Sequence, residues 1–206
     1  PRLGALLDAV RASGLTDRLI LVTNGMLPRR MTPEIWARID EVELSAYPGT
    51  GLDPEAIAAW RAAAAKAGRK IKVYEFPEFR MTFTKVRTED DALVAQIFDA
   101  CKMAHVWGCH AYRAGRIFRC PQSIYIASMI EDAETEGLIL RNDAAFRGDL
   151  LAFLNAATPL AACRHCVGSC GRKIAHARPP RAEWADDLTR RAEDMLDREL
   201  LARSLH

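Results

Sequence analysis

Residues 18–25, RLILVTNG, combine a short aliphatic run with the turn pair Asn24-Gly25. Because the run is short, rich in branched aliphatic residues and bounded by a turn, it predicts a buried β-strand. The apolar residues on either side of it recur with a helical period, over residues 3–10 before the strand and 32–39 after it. Helix and strand therefore alternate from the beginning of the sequence.

Further alternation extends this pattern to about residue 76. Glu41–Ala46 and residues 70–76 are predicted strands, and Asp53-Pro54 begins the helix between them, which Gly68 ends. Such alternation predicts parallel strands joined by crossover helices, and hence an open α/β sheet or part of a (β/α) barrel. Both folds bind ligands at the carboxyl ends of their strands.

Polar residues at two of these strand ends are candidate ligand contacts. Asn24 follows the first strand, and Ser45 lies near the end of the second. Turns favour such residues for purely local reasons, so the alternative is that each is an ordinary loop residue.

The composition excludes several classes of protein. Half of the 206 residues are apolar and 27% are charged, which is typical of a globular protein and excludes a disordered tail or a collagen-like rod. A net charge of +2 is too small to direct the molecule to nucleic acid or to an acidic membrane, so neither is an expected partner. The longest aliphatic run, residues 19–22, is far shorter than the ~20 residues of a membrane-spanning helix.

Six cysteines, all beyond residue 100, are the strongest chemical signal in the sequence. Cys163 and Cys166 form a C-x-x-C pair, a spacing that lets two sulfurs share one metal. Cys109 and Cys120 flank a predicted β-hairpin over residues 110–119, whose pairing would bring their sulfurs together. Four thiolates suit either tetrahedral zinc or an iron–sulfur cluster, and the number of ligands does not choose between them.

The remaining cysteines and two histidines leave alternatives open. Cys101 lies on the apolar face of a predicted helix that begins near Thr88, where a cysteine can be a small buried hydrophobe. Cys170 is either a ligand or a bystander. His110 and His165 adjoin cysteines, so either imidazole could replace a thiolate in a zinc site.

The cysteines also bear on the redox environment of the chain. A chain with an apolar core of this size does not need disulfides for stability, so we expect reduced thiols and a cytoplasmic location.

Three arginines lie on or beside the predicted hairpin: Arg113, Arg116 and Arg119. They either bind an anionic substrate through bidentate contacts or lie on a solvated strand face.

These patterns predict an α/β protein built from two regions. Residues 1–87 are a partial (β/α) barrel fragment, and residues 88–206 are a small cysteine-rich α+β extension with a β-hairpin. The extension is predicted to close with one C-terminal helix over residues 183–205.

Together these features resemble the radical SAM enzymes that carry a C-terminal auxiliary-cluster extension of the SPASM or twitch type. Gly115 and Cys120 fit the G-x4-C element of that extension, with Cys101 upstream of the glycine at a spacing of thirteen residues and Cys109 at a spacing of five. The pair Cys163-x2-Cys166 fits its later C-x-x-C element. After this pair only Cys170 follows, so the resemblance implies a single auxiliary [4Fe–4S] cluster rather than two.

The resemblance also implies roles for the first region and for a parent enzyme. Residues 1–87 would be the C-terminal part of the family's partial barrel, with Asn24 and Ser45 beside S-adenosylmethionine. The family motif C-x3-C-x2-C, which holds a second [4Fe–4S] cluster, does not occur in these 206 residues. The expectation is therefore a fragment of a longer enzyme, with the motif upstream and with no radical chemistry of its own.

The parent enzyme would cleave S-adenosylmethionine to a 5′-deoxyadenosyl radical, which abstracts hydrogen from a small-molecule or peptide substrate, using an external electron donor. A competing hypothesis of another class is an α/β binding or assembly module with a structural zinc site. It explains four cysteines equally well, and metal analysis separates the two.

Overall fold

A computed structural model describes residues 3–130, 136–177 and 188–204. The chain divides into two compact units, one of residues 1–78 with 175–177 and the other of residues 79–174 with 178–206. The described helices are α1 (Leu3–Ala12), α2 (Pro33–Arg38), α3 (Pro54–Lys66), α4 (Asp91–Asp99), α5 (Lys102–His105), α6 (Pro121–Met129), α7 (Phe146–Leu154), α8 (Ala192–Met195) and α9 (Arg198–Ser204). The described strands are β1 (Ile20–Thr23), β2 (Glu41–Ala46), β3 (Lys70–Glu75), β4 (Glu78–Arg80), β5 (Ala111–Arg113), β6 (Arg116–Phe118), β7 (Leu138–Ile139) and β8 (Lys173–Ala175).

The first unit is built on a parallel sheet whose strands are in chain order, β1-β2-β3. The mixed α/β class predicted from the alternating periodicity is confirmed. Among the described residues the sheet of this unit has three strands and does not close into a barrel.

The helices of the first unit share one face of this sheet. Val42 and Leu44, both fully buried, point to this face, and the register places Leu21, Ile71 and Val73 beside them. The same core includes apolar side chains of α1, α2 and α3, among them Leu7, Trp36 and Trp60. Alternate residues of the strands and one face of each of the three helices are thus buried against each other in a single core layer.

The opposite face of the sheet is polar. Glu41 is only 1% exposed, and its carboxylate pairs with Arg18 and, at 2.9 Å, with Lys72 on β3. Hydrogen bonds from Lys72 and Arg18 to this carboxylate hold the pKa of Glu41 below its ordinary value of 4.5.

The second unit contains the predicted hairpin and one strand more. β5 and β6 pair antiparallel around Gly115, and β7 adds a third strand on β6. β4 and β8 form a separate two-stranded sheet. The helix predicted from Thr88 begins at Asp91 instead, because the Asp90 side chain accepts a hydrogen bond from the Leu93 amide and caps it.

The C-terminal region differs from the single helix predicted over residues 183–205. Its described part, residues 188–204, forms α8 and α9, interrupted where Leu196 bridges to Gly171. Residues 183–187 and 205 of that prediction lie outside the described residues. Met195 and Leu201 pack with Ile97 and Val167 in the core of this unit. Within the described ranges no helix has the length and apolar character to cross a bilayer.

Candidate cysteine site

Four cysteines of the second unit line one pocket. They are Cys101, Cys120, Cys163 and Cys166, and the cavity between the pocket walls is about 40 Å³. Five of the other lining residues have apolar side chains: Ile97, Phe98, Met103, Ala104 and Leu160. The remaining two are Gly168 and Arg119. The four sulfurs come from three separate parts of the chain, so folding alone brings them together.

Cys101 reaches the pocket from the bend between two helices. α4 ends at Asp99, and Cys101 is the N-cap residue of α5. The prediction that Cys101 lies on the apolar face of a helix is therefore wrong. The Cys101 sulfur packs against Gly168, where a Cβ atom would lie 2.9 Å from it. Gly168 also has a φ of +55°, a conformation that favours glycine.

Cys120 is delivered by the hairpin. It follows β6 directly and is the N-cap residue of α6, with Pro121 in the first turn. Burial raises the pKa of the Cys120 thiol, while the Ser123 and Gln122 groups at the start of the helix act in the opposite direction. The thiol therefore lies where helix amides favour a negative sulfur and the apolar surroundings oppose it.

Cys163 and Cys166 lie on and just after a 3₁₀ turn, Ala161–His165. The Glu136 carboxylate accepts hydrogen bonds from the Ala161 and Ala162 amides, at 2.7 and 2.8 Å, and so caps this turn. After the turn, the Gly168 amide donates to the Cys166 sulfur at 3.2 Å.

A neighbouring segment of the same unit holds this cysteine turn in place. The Thr84 and Thr88 amides donate to the carbonyls of His165 and Arg164, and the Val167 amide donates to the Thr82 carbonyl. Residues 79–87, predicted to belong to the first region, group with the second unit in the structure. This pairing orients Cys163 and Cys166 toward the pocket.

Burial dominates the ionisation of these thiols. It raises the pKa of Cys163 to about 12, opposed by the Leu160 amide, and the sulfurs of Cys120 and Cys101 raise this pKa further. Burial likewise raises the pKa of Cys166 well above its ordinary value. The thiols influence one another because they share one water-poor space, and a positive charge in that space would favour their ionised forms.

The other two cysteines lie outside the pocket lining. Cys170 is fully buried in the core around Met195 and Leu196, with its sulfur 3.8 Å from the Ala100 carbonyl oxygen. Cys109 is half-buried ahead of β5. All six cysteines are free thiols. Among the described residues, no three or more Cys, His, Asp or Glu side chains are grouped closely enough to hold a single metal ion.

The histidines next to cysteines do not line the pocket either. His110 Nδ1 lies 3.2 Å from the Arg119 carbonyl oxygen, which joins the two strands near the end of the hairpin. Burial lowers the pKa of His165.

Arg119 is a residue whose place the sequence reasoning missed. The sequence predicts that Arg119, like the other hairpin arginines, either lies on a solvated strand face or binds an anionic substrate. In the structure its side chain is 5% exposed, and the residue lines the cysteine pocket. Its guanidinium donates to the carbonyls of Thr158 and Ala156, at 2.9 and 2.5 Å, and lies 5.1 Å from the Phe98 ring centroid. Its position next to Cys120 was the one available signal.

In the first unit, Asn24 and Ser45 occupy one end of the sheet. The register pairs Thr23, the last residue of β1, with Leu44 of β2, so Asn24 and Ser45 each lie one residue beyond that pair. Ser45 is buried, and Asn24 Oδ1 accepts a hydrogen bond from the Met26 amide at 3.3 Å, closing the turn. A cavity of about 370 Å³ in this unit is lined by other residues, including Trp36.

No family model matches this chain, and no curated protein matches its sequence. The candidate site is therefore defined by its own geometry, which is four thiols from three chain segments around one apolar pocket.

Proposed function

We propose that the second unit binds one [4Fe–4S] cluster through Cys101, Cys120, Cys163 and Cys166. The observation that carries this proposal is the shared pocket, because four cysteine thiolates are the common ligand set of such clusters. The hairpin and the C-x-x-C spacing favoured Cys109 as the fourth ligand beside Cys120, Cys163 and Cys166. In this proposal Cys101 replaces Cys109. Cys170 is then a core residue rather than a ligand.

The surroundings of the four sulfurs fit this group in their chemistry. Apolar neighbours such as Phe98 and Leu160 exclude water, and the Gly168 amide supplies a hydrogen bond to the Cys166 sulfur. Hydrogen bonds to the sulfurs and limited exposure are the main protein influences on cluster potential. When bound, such a cluster supplies one-electron transfer or a site for a substrate ligand. A cytoplasmic location, where thiols stay reduced, suits such a site.

The first unit is the corresponding piece of a partial (β/α) barrel in this proposal. Strands in chain order with α1, α2 and α3 on one face match the outer helix layer and inner strand layer of a barrel. In a doubly wound sheet the strand order reverses and helices cover both faces. Asn24 and Ser45, at the carboxyl ends of β1 and β2, would then contact S-adenosylmethionine.

The whole chain is accordingly proposed as part of a radical SAM enzyme. Its parent cleaves S-adenosylmethionine to a 5′-deoxyadenosyl radical that abstracts hydrogen from a small-molecule or peptide substrate, with electrons from an external donor. A barrel-like sheet and a four-cysteine pocket in one chain support this assignment. The coding sequence upstream of residue 1 tests it directly. A C-x3-C-x2-C motif there is the expected result, and an upstream sequence without one contradicts the enzyme proposal.

Anaerobic reconstitution with iron and sulfide tests the cluster itself. We expect a brown protein with about four irons per chain. Cys101→Ala, Cys120→Ala, Cys163→Ala and Cys166→Ala should each lower the iron content strongly. Cys109→Ala is the control for loss of a thiol outside the pocket, and Cys170→Ala is the control for loss of a buried thiol, and both should retain the iron.

Two results would contradict the cluster proposal. Loss of iron in Cys109→Ala together with full iron in Cys101→Ala would return the ligand set to the one that spacing favoured. A colourless protein that binds one zinc per chain and no iron would favour the α/β binding or assembly module with a structural zinc site.

A further inference from the structure

A groove runs between α2 and α3 in the first unit. It consists of two cavities, of about 370 and about 410 Å³, which share three lining residues: Met31, Trp36 and Ala63. Along α3 the lining extends from Ala56 to Ala67, which at about 1.5 Å per residue is roughly 16 Å. The groove therefore has the dimensions of a small-molecule site rather than those of a site for a single ion.

The walls of this groove are mainly apolar. Trp36 and Trp60 are buried among its lining residues, with their ring centroids 6.1 Å apart in an edge-to-face arrangement. On α3 the opposing wall is largely alanine, whose small side chain leaves the space between the helices open. Met26 lines the first cavity and is 50% exposed, and methionine side chains adapt to apolar ligands. Such walls suit the apolar body of a ligand.

The charge of the groove has one sign. Among its lining residues the charged ones are Lys66 and Arg69, both at the end of α3 that leads into β3. The Arg69 guanidinium donates to the carbonyls of Trp36 and Ala37, at 3.1 and 3.2 Å. Because both of these residues line the same cavity, the bonds place the positive charge at the groove wall.

Carboxylates do not neutralise this end of the groove. Arg69 acts on Asp40, whose pKa is lowered first by the Leu19 amide, then by Arg11 and last by Arg69. Asp40 pairs with Arg11 at 2.5 Å and lines neither cavity. Within the described ranges, Lys66 is exposed and has no carboxylate at ion-pair distance. Its ammonium group is therefore available to an anionic ligand.

We propose that this groove binds a small amphipathic carboxylate, with its alkyl body between α2 and α3 and its head group beside Lys66 and Arg69. Small-molecule sites are concave, mostly apolar and about 300–1,000 Å³ in volume, with a few polar groups that fix the orientation of the ligand. Lysine and arginine bind a carboxylate through charge-assisted hydrogen bonds. This site belongs to the first unit, so the inference goes beyond the proposed function and does not depend on a cluster.

The test is a titration of the full chain with dodecanoate, kept below the concentration at which it forms micelles. The indole N–H signals of Trp36 and Trp60 in NMR spectra should shift and saturate. The signal of Trp107, an exposed tryptophan of the second unit, should not move. Dodecyltrimethylammonium, which has the same alkyl body and a positive head group, should bind at least about tenfold more weakly, because its charge repels the two cations.

Variants of α3 locate the site, with binding measured by calorimetry. Ala63→Trp fills the middle of the groove, because Ala63 is exposed and lines both cavities, and should weaken dodecanoate binding at least about tenfold. Ala58→Trp, at an exposed position on another face of the same helix, is the matched control and should bind as the parent chain does.

A second pair of variants tests the head group. Lys66→Gln should weaken dodecanoate binding about two- to fivefold, which is the range of an exposed ion pair. Arg61→Gln removes an exposed cation from the same helix outside the groove lining and should leave the affinity unchanged.

Several results would overturn the inference. They are the absence of saturable dodecanoate binding, shifts confined to Trp107, equal binding of the two amphiphiles, and equal binding by Ala63→Trp and Ala58→Trp. Signals of Trp36 and Trp60 that move with protein concentration alone would show that a second copy of the chain covers the groove, which also overturns it. If Ala63→Trp fails to fold, the head-group comparison and Lys66→Gln decide, since neither fills the groove.

Discussion

Gly168 shows how a glycine without a side chain can fix the position of a neighbouring candidate ligand, here Cys101. Its φ of +55° and its contact with the Cys101 sulfur both require the absence of a side chain. Gly168→Ala should therefore lower the free energy of unfolding by about 1–2 kcal/mol, the cost of a left-handed backbone in other residues, and displace Cys101. Chemical denaturation and iron content after reconstitution measure the two effects.

Gly148→Ala is the matched control for this substitution. Gly148 lies inside α7, its added Cβ would meet nothing within 4 Å, and its φ is not positive. Alanine is the better helix former, so this variant should be as stable as the parent chain or more stable by about 0.5–1 kcal/mol. A Gly168→Ala protein with parental stability and parental iron would refute the role assigned to this glycine.

Glu136 carries a second prediction at the level of one residue. Its carboxylate caps the turn that presents Cys163, and Glu136→Ala leaves two amides without this partner. Loss of a comparable cap costs about 1 kcal/mol, so unfolding should become easier by roughly that amount. Denaturant titration measures it, with Glu89→Ala as the control, since Glu89 is exposed and its ion-pair partner within the described ranges is the exposed Arg87.

The Glu89→Ala control separates loss of the Glu136 cap from a general effect of removing a surface carboxylate. If both glutamate variants unfold at the denaturant concentration of the parent chain, the carboxylate is not supporting the turn. If Glu136→Gln keeps most of the stability, the remaining side-chain oxygen suffices as an acceptor for one of the two amides.

At the level of elements, the polar face of the first sheet predicts a dependence on pH. Glu41 on β2 is paired with Arg18 and with Lys72 on β3, and these partners lower the pKa of its carboxyl group. A carboxyl group with a lowered pKa contributes stability above its ordinary pKa of 4.5, and this contribution is lost as the pH falls. The first unit should therefore weaken on acidification.

Glu41→Gln isolates this contribution. The variant should unfold more easily than the parent chain at neutral pH, and the difference should shrink as the solution is acidified below the ordinary carboxyl pKa. Thermal unfolding followed at several pH values measures it. A difference that stays constant over the acidic range would show that the cross-strand ion pairs are not its source.

The elements that sequence could predict are those with a strong local signal. β2 has the bounds predicted for it, and the hairpin turns at Gly115, because aliphatic runs and a glycine turn decide these locally. β7 has two residues and pairs with a strand about twenty positions earlier, so no local pattern announces it. The end of α4 before Cys101 was likewise missed, because the Lys102 amide bonds to the distant Ser169 hydroxyl.

The same distinction applies to the candidate site. The spacing of Cys163 and Cys166 was informative because only two residues separate them. The choice of Cys101 over Cys109 and the burial of Arg119 depend on how α4, the hairpin and the cysteine turn meet in space. Sequence spacing carries no information on such non-local packing.

For the whole molecule, the two units should respond differently to cluster binding. All four pocket cysteines belong to the second unit, and a group that binds only the folded state stabilises that state by mass action. Hydrogen exchange should therefore slow in α4, α6 and the cysteine turn after reconstitution, while exchange in β2 of the first unit stays as it was. Equal slowing in both units would contradict a site confined to the second.

The hydrogen bonds between residues 82–88 and 164–167 have a further consequence. They fasten two points of the chain that are far apart in sequence, with Cys101 and Cys120 on the loop between them. Much of the entropic cost of closing that loop is met when the unit folds. If the second unit binds the proposed cluster, iron and sulfide would need to draw together only short lengths of backbone, which favours rapid assembly and slow release.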